Sequence, residues 1–424
     1  MADDNKYIPV FRFPEFQDDG EWKICKLSDV AKRKVAKNRL GLKLPIYTNS
    51  ATGGVVNQAD YFDREIVTQD NLVNYGIIEQ NDFVYNPRVS AAAPVGPISR
   101  NKLEKGIMSP LYLIFGFNKG DINFYECYFK TAHWHNYLKA IANYGARFDR
   151  INIATDDFMD MPIPYPNLIE QKKIADCLFS LDSYIDATKR KLEQLKEHKK
   201  GLMQRLFPAK GKTTPGLRFS EFQDMAEWSI KTLGAIGETY GGLSGKSAED
   251  FGVGKPYVTY KQVFDSLEID TSACLLVRID DNEKQNKLQY GDVLVTMSSE
   301  TPEEVGYTAV VTNKENPECY LNSFCFIYRL FDNESIDAKF LIYLFSSEAY
   351  RTAVVRIAQG ITRFNISKTK FKEIELAIPE SKNEQRKIAE VLALIDTQIA
   401  EYDKKTKTLE LHKKGLMQQL FPKL

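Results

Sequence analysis

A chain of 424 residues, 43% apolar and 27% charged, has the make-up of a globular protein large enough to bury two or more cores. No run approaches the roughly 20 consecutive apolar residues of a membrane helix, and the polar start Met1-Ala2-Asp3-Asp4-Asn5-Lys6 lacks the apolar stretch of a signal peptide, so a cytoplasmic location is expected. With 57 basic side chains against 57 acidic ones, bulk positive charge is excluded as a means of holding nucleic acid; such binding has to come from local patches or from partners.

Residues 1–167 read as a first α+β recognition module that opens on Arg12-Phe13-Pro14-Glu15-Phe16-Gln17-Asp18 and Trp22. A basic run follows, in which Lys26, Lys32, Arg33, Lys34, Lys37, Arg39 and Lys43 stand against Asp29 alone. Such a run can track a phosphate backbone, with Arg33, Lys34, Lys37, Asn38 and Arg39 as candidates; a solvated face is the plain alternative. The polar loop sets Thr48-Asn49-Ser50 and Arg88-Val89-Ser90 carry side chains of the kind that reach base edges, and Thr48, Asn49, Ser50, Arg88 and Ser90 are the candidates there. Phe83-Val84-Tyr85 and Leu111-Tyr112-Leu113-Ile114-Phe115 predict strands, Phe124 to Tyr144 predicts a helical stretch, and the sheet is expected to be irregular and mainly antiparallel. Arg147 and Arg150, where the module returns, are candidate phosphate contacts.

Residues 168–208 predict a long helix. Ile174, Leu178, Leu181, Ile185, Thr188, Leu192, Leu195, Lys199, Leu202 and Leu206 step alternately by four and three, the seam of a coiled coil. Pro166 and Pro208 punctuate its ends. At about 1.5 Å per residue a helix of about 36 residues spans on the order of 54 Å, roughly 16 base pairs of duplex, so it can set a distance.

After a linker at 209–215 the pattern starts again. A second module, 216–381, opens on Arg218-Phe219-Ser220-Glu221-Phe222-Gln223-Asp224 with Trp228, and a second helix occupies 382–424. Positions 169 to 208 and 383 to 422 align without a gap, and 20 of the 40 pairs are identical. The second seam, Ile388, Leu392, Ile395, Ile399, Tyr402, Thr406, Leu409, Lys413, Leu416 and Leu420, keeps the register, with Lys199 and Lys413 as matching charged interruptions. Antiparallel packing of the two helices is expected, related by a pseudo-twofold. Inside the modules, Asp82 and Val95-Gly96 match Asp292 and Val305-Gly306, while Arg150-Ile151-Asn152-Ile153 matches Arg363-Phe364-Asn365-Ile366. Between these anchors the two halves diverge, as expected of one scaffold carrying two different reading surfaces.

In the second module Asp292-Val293-Leu294-Val295-Thr296 and Phe324-Cys325-Phe326-Ile327-Tyr328 predict strands, and Ala338 to Ala358 predicts helix. Its candidates are Lys246 in the glycine-rich Tyr240-Gly241-Gly242-Leu243-Ser244-Gly245-Lys246, whose backbone could approach a ligand closely, then Thr259, Tyr260 and Lys261, then Ser298, Ser299, Glu300 and Thr301, and finally Gln359 and Arg363. The glycine-rich segment lacks the full phosphate-loop pattern.

Catalytic and metal-binding patterns are missing. His133-Trp134-His135 places two imidazoles on different sides of a helix without a third ligand, and the six cysteines Cys25, Cys127, Cys177, Cys274, Cys319 and Cys325 fall in no metal-ligand or paired spacing. Asn86-Pro87-Arg88 falls short of the Asn-Pro-Pro-Tyr type of element of adenine methyltransferases, and no Ser/His/Asp arrangement is convincing. These absences favour a binding protein over a fused restriction or methyltransferase enzyme.

Glu170-Gln171-x-x-Ile174-Ala175 and Glu384-Gln385-x-x-Ile388-Ala389 at the helix starts, Lys-Gly-Leu-Met-Gln-x-Leu-Phe-Pro at both ends, and the Gly291-Asp292 strand entry complete the pattern, with Asn81-Asp82 departing in the first copy. Over essentially its whole length the chain resembles the specificity subunit of type I restriction-modification enzymes. The resemblance implies two variable target-recognition domains that each read one half of a split DNA sequence, with the helices fixing the gap. It also implies partners: two modification subunits carrying S-adenosylmethionine-dependent adenine methyltransferase activity, and restriction subunits that use ATP and Mg. This chain would bind no cofactor or metal itself. A non-catalytic coiled-coil structural adaptor is the alternative.

Overall fold

The computed structural model describes residues 7–61, 69–144, 149–270, 273–314 and 318–422. The chain divides into two compact units, Met1–Thr188 together with Lys404–Leu424, and Lys189–Asp403. Both boundaries fall inside the long helices, Leu168–Leu206 and Lys382–Gln419. Each unit therefore holds one α+β module, part of the helix that follows it, and part of the other helix.

In the first unit, Ala31–Arg33, Leu113–Phe117, Phe83–Tyr85 and Ile98–Arg100 form an antiparallel sheet in that order. A second sheet orders Gly54–Asn57, Ile46–Ser50, Gly106–Met108 and Gly76–Ile78, with one parallel pair between Ile46–Ser50 and Gly106–Met108. All three residues of Phe83–Tyr85 are buried because both faces of the strand are covered. Phe83 stacks on Phe115 at 5.7 Å and Tyr85 on Phe158 at 4.8 Å, while Val84 belongs to a separate core with Tyr47, Met108 and Ile114. The predicted helical stretch is two helices, Ile122–Phe129 and His135–Ile141, and Asn143–Tyr144 is a strand paired with Ile151–Asn152. The break comes at Thr131, whose hydroxyl donates to the Tyr128 carbonyl at 2.7 Å and satisfies a helix end.

The second unit repeats the plan. Gly237–Gly241, Cys325–Leu330, Val293–Thr296 and Thr308–Val310 form the antiparallel sheet, and Leu275–Val277, Phe251–Val258 and Tyr320–Leu321 form a smaller one with a parallel pair. The helical stretch again splits, into Ala338–Leu344 and Glu348–Ile357, with Ser347 capping the second piece through its contact with the Tyr350 amide. Asn81 and Gly291 both have positive φ, 75° and 85°. Asparagine tolerates that region better than other side chains, so the departure from glycine in the first copy preserves the turn.

The ends of each module meet. Lys23–Lys26 pairs with Pro162–Tyr165, and Ser229–Thr232 with Glu375–Ile378, which delivers the chain to the helix beside its own starting point. There the Arg12 guanidinium donates to both carboxylate oxygens of Glu170, at 2.7 and 2.8 Å, and Arg218 donates to both of Glu384, at 2.8 Å each. Gln171 accepts from the Asp121 amide at 2.8 Å and donates to the Pro166 carbonyl at 2.8 Å; Gln385 does the same with Asp337 and Pro379 at 2.7 and 2.9 Å. The Trp228 indole also donates to Glu384, at 3.1 Å, whereas the Trp22 indole N–H is buried with no acceptor among the described residues.

Every seam residue of both helices is buried or half-buried. In the first unit Lys413 forms an ion pair with Asp182, and in the second Lys199 pairs with Asp396 at 2.6 Å. Higher-numbered residues of one helix meet lower-numbered residues of the other within each unit, so the helix segments run antiparallel there. The tails cross over as well: Phe421 packs against Trp22 and Phe124 at 6.4 and 5.3 Å, and Phe207 against Trp228 and Phe340 at 6.0 and 5.6 Å.

Removing one member of a saturated buried ion pair strands the other charge, which typically costs about 3 to 5 kcal/mol, while apolar replacement of both is close to neutral. Glu170→Ala is expected to destabilise the first unit by that amount and Arg12→Met with Glu170→Met by much less. Urea unfolding followed by Trp22 and Trp134 fluorescence in a Trp228→Phe background checks it.

Candidate nucleic-acid interface

The structure brings one group of candidates in the first module together. Arg88 and Arg150 face each other as an antiparallel bridge, the Val89 amide donates to the Asp149 carbonyl at 3.0 Å, and the Ile151 amide to the Pro87 carbonyl at 3.1 Å. A cleft of 260 Å³ is lined by Thr48, Asn49, Ser50, Arg88 and Ser90, together with Tyr61, Asn86 and Tyr112, none of them a contact candidate from the sequence. Arg88 and Ser90 are exposed, with Arg88 held loosely by Asp149 at 3.7 Å.

Thr48, Asn49 and Ser50 are not loop residues. They lie in the strand Ile46–Ser50 and are at most 5% exposed. The Thr48 hydroxyl lies 3.0 Å from that of Tyr112, Asn49 donates to the carbonyls of Val84 and Pro97 at 2.9 and 3.1 Å, and Ser50 accepts from the Gly53 amide at 3.2 Å. Their polar groups shape the cleft wall from within. What the cleft offers a ligand is the exposed set Arg88, Ser90 and Tyr61.

The basic run lies elsewhere in the module. Arg33 ends a strand opposite Phe115, Lys34 sits 3.7 Å from Asp82, and Lys37 bridges to Gly76 in the other sheet. Arg33, Lys37 and Arg39 are exposed. Asn38 is 1% exposed and closes a turn by exchanging hydrogen bonds with the Leu42 backbone at 2.9 and 3.0 Å, so it is structural. Arg147 lies outside the described residues.

The second module builds the corresponding ground from different side chains. Ser298–Ser299 pairs with Phe364–Asn365, and Gln359 bridges to Asn365. These contacts gather Ser298, Ser299, Gln359 and Arg363. Tyr260 joins them by donating to the Ser298 carbonyl at 2.7 Å. Ser298 and Ser299 are 4% and 7% exposed, and the Ser299 hydroxyl donates to Glu304 at 3.2 Å, so they too support the surface from beneath. Glu300, Thr301, Gln359 and Arg363 are exposed, and the Arg363 guanidinium lies 5.6 Å over the ring of Phe324, which the sequence placed in a strand but which is 52% exposed just before the strand Cys325–Leu330. Thr259 caps the helix Tyr260–Asp265, and Lys261 is exposed and paired with Asp265 at 2.5 Å.

Lys246 departs from expectation. Its side chain is 6% exposed and locked in an ion pair with Glu283, while Gln285 and the Asp280 amide hold the same carboxylate. The glycines around it serve the fold: a Cβ on Gly242 would lie 2.1 Å from the Asn322 carbonyl oxygen, so the close approach is to a neighbouring strand.

Among the described residues, no three histidine, cysteine or acidic side chains are grouped as a metal site requires. His135 lies edge-on to Trp134 at 4.5 Å, and burial lowers its pKa. The Sγ atoms of Cys274 and Cys319 are 3.8 Å apart, a proximity their spacing did not reveal.

Two α+β modules alternating with two long helices, with matched anchors and unmatched loops, define a duplicated recognition protein of mixed α+β class. The family model described as the type I restriction modification DNA specificity domain matches residues 19–197 and 225–411, and the chain belongs to that family. It is similar to the type I restriction enzyme MjaVIII specificity subunit of Methanocaldococcus jannaschii, 26% identical over 266 residues, 62% of each chain. It is also similar to the EcoKI specificity subunit of Escherichia coli K12, 25% identical over 299 residues, 69% of this chain and 62% of that one. The matches thus span less than two thirds of these relatives. A type I restriction-modification S subunit from M. genitalium shares the fold with a TM-score of 0.54 at 15% identity, covering 98% of this chain and 99% of that one.

The hydrogen bond from Lys246, then those from Gln285 and the Asp280 amide, hold the Glu283 carboxyl down to about 2. A depressed carboxylate contributes stability that is present above its ordinary value near 4.5 and is lost as pH falls toward 2. Carboxyl-resolved NMR titration is expected to give Glu283 a midpoint near 2. Lys246→Met is expected to move that midpoint toward 4.5.

Proposed function

We propose that this chain is the address-reading subunit of a type I restriction-modification complex, each module recognising one half of a bipartite duplex DNA site. The observation that carries the reading is the contrast between constant anchors and changed surfaces. At the same bridge between loops, the first module presents Arg88, Ser90 and Arg150, and the second presents Glu300, Thr301, Gln359 and Arg363. Arginine, serine, threonine and glutamine suit major-groove recognition, and arginine also holds phosphates. A base pair read well is worth about 1 to 3 kcal/mol of discrimination, so two modules roughly double the free energy available for specificity. The helix pair acts as the spacer.

In this reading the chain performs no chemistry and works in the cytoplasm. Two modification subunits hold S-adenosylmethionine and methylate adenine, and restriction subunits use ATP and Mg to act on unmodified DNA. The pseudo-twofold repeat suits two equal methyltransferases acting on opposite strands.

Mapping adenine methylation on DNA exposed to this chain with its modification subunits is expected to yield one split motif of fixed spacing, modified once on each strand. Replacing residues 1–166 by another family member's first module is expected to change one half-site and keep the other. A motif altered in both halves, or no motif despite an assembled and active complex, would overturn the modular reading.

A further inference from the structure

A cationic cluster in the first unit involves neither the Arg88 cleft residues nor the basic run. Glu126, 6% exposed on the helix Ile122–Phe129, takes three cations: Arg100 at 3.3 Å on one carboxylate oxygen, and Lys102 and Lys130 at 2.7 and 3.1 Å on the other. Both ammonium groups also lie over the ring of Phe179, at 5.2 and 5.8 Å. Arg100 spends further donors on Asn81 and Asn123, at 2.9 and 2.6 Å. Lys102 and Lys130 are 58% and 44% exposed, and an ammonium has three donors, of which Glu126 uses one from each. Three positive charges against one negative leave a formal surplus of two.

The fold does not need this cluster. The strand registers place Arg100 opposite Phe83 and Val310 opposite Val293, and the caps Asp121 and Asp337 begin the matching helices. Arg100, Lys102, Glu126, Lys130 and Phe179 therefore correspond to Val310, Thr312, Ile342, Ser346 and Ala393 in the second unit, which are uncharged. Burying a carboxylate among cations is costlier than the apolar packing the same scaffold uses there. Burial pushes the Glu126 carboxyl up, but Lys102 and Lys130 override it and hold the group below its usual range, so the cluster stays charged.

Its position gives it a use. Arg100, Lys102 and Lys130 line a cleft of 530 Å³ together with the turn Ala51 to Gly54, Gly96 and Pro97. Ala51 and Pro97 also border the cleft that holds Arg88 and Ser90. The cationic cleft thus adjoins the candidate reading surface through a shared rim.

We propose that Lys102 and Lys130 bind backbone phosphates of the DNA beside the first module's half-site, with Glu126 as the positioning residue that holds the two ammonium groups together. The inference rests on the DNA-reading function. It adds an asymmetry to that function: the first module grips about two phosphates that the second has no counterpart to hold.

The test is Lys102→Gln with Lys130→Gln in the complex with modification subunits, measuring affinity against salt for a duplex carrying the mapped motif and for an unrelated one. Each neutralised phosphate contributes about 0.9 to the slope of log affinity against log salt, so the double variant is expected to lose roughly 1.8 from that slope. Between 50 and 200 mM salt its affinity is then expected to fall by about tenfold less than that of the wild type, with weaker binding to both duplexes and an unchanged motif. Glu126→Gln, which keeps both lysines, is expected to keep or steepen the slope. An unchanged slope in the double variant, with normal specific binding, overturns the phosphate site and leaves the function standing. So does an unchanged slope with weakened subunit assembly, which would make the cluster a protein contact. Wild-type complex that binds no sequence preferentially would instead sink the DNA-reading function itself.

Discussion

The buried guanidinium–carboxylate pair at the head of each long helix is the contact on which the remaining structure depends. Arg12 and Glu170 are 158 residues apart, and Arg218 and Glu384 are 166 apart, so each pair forces a whole module to return to its own beginning before the helix departs. Such a pair is tolerable only when its donors are used. Arg12 gives its remaining contact to the Gly20 carbonyl, and Arg218 to those of Met225 and Ala226. Gln171 and Gln385 then tie the helix start to the caps of the module helices Ile122–Phe129 and Ala338–Leu344, through the amides of Asp121 and Asp337. With those ties made, the direction in which the helix leaves is set by the module and not by the linker.

The parts legible from the sequence were those whose signal is local or periodic. A heptad seam can be read from spacing alone, and its two lysines, which looked like interruptions, are where Asp396 and Asp182 of the opposite helix pair. The Phe83–Tyr85 and Val293–Thr296 strands were legible because their runs are continuously apolar, which their burial on both faces explains. Polar residues inside strands were misread for the complementary reason. Thr48-Asn49-Ser50 looks like a loop because three small polar residues favour turns, and only the pairing with Val55, Val56 and Gly54 shows otherwise.

Charges were harder still. Whether a lysine is free or spent depends on a carboxylate far away in sequence, as with Lys246 and Glu283, 37 residues apart. Distance likewise hid Arg100 and Lys102, which reach Glu126 from before the intervening strands Gly106–Met108 and Leu113–Phe117, where Lys130, four residues on from Glu126, completes the cluster. The fold therefore brings some of the candidates together at the surface and builds others into the scaffold. Arg88, Arg150 and Arg363 lie at matched bridges, while Asn38, Lys246 and the Thr48-Asn49-Ser50 strand belong to the scaffold.

Antiparallel pairing of duplicated helices explains why they have stayed alike while the modules diverged. Lys199 and Lys413 occupy the same repeat position, as do Asp182 and Asp396, each pair being 214 residues apart. Within each unit the lysine of one copy meets the aspartate of the other. A motif that complements itself in this way has to change in both copies together, because altering one copy alone strands a half-buried charge on its partner. Loops on the module surfaces carry no such obligation. Even at the edge of the seam the distinction holds: Tyr343 donates to Asp396 at 2.9 Å in the second unit, while the matching position in the first is Cys127, so the module side of the contact has drifted where the helix side has not.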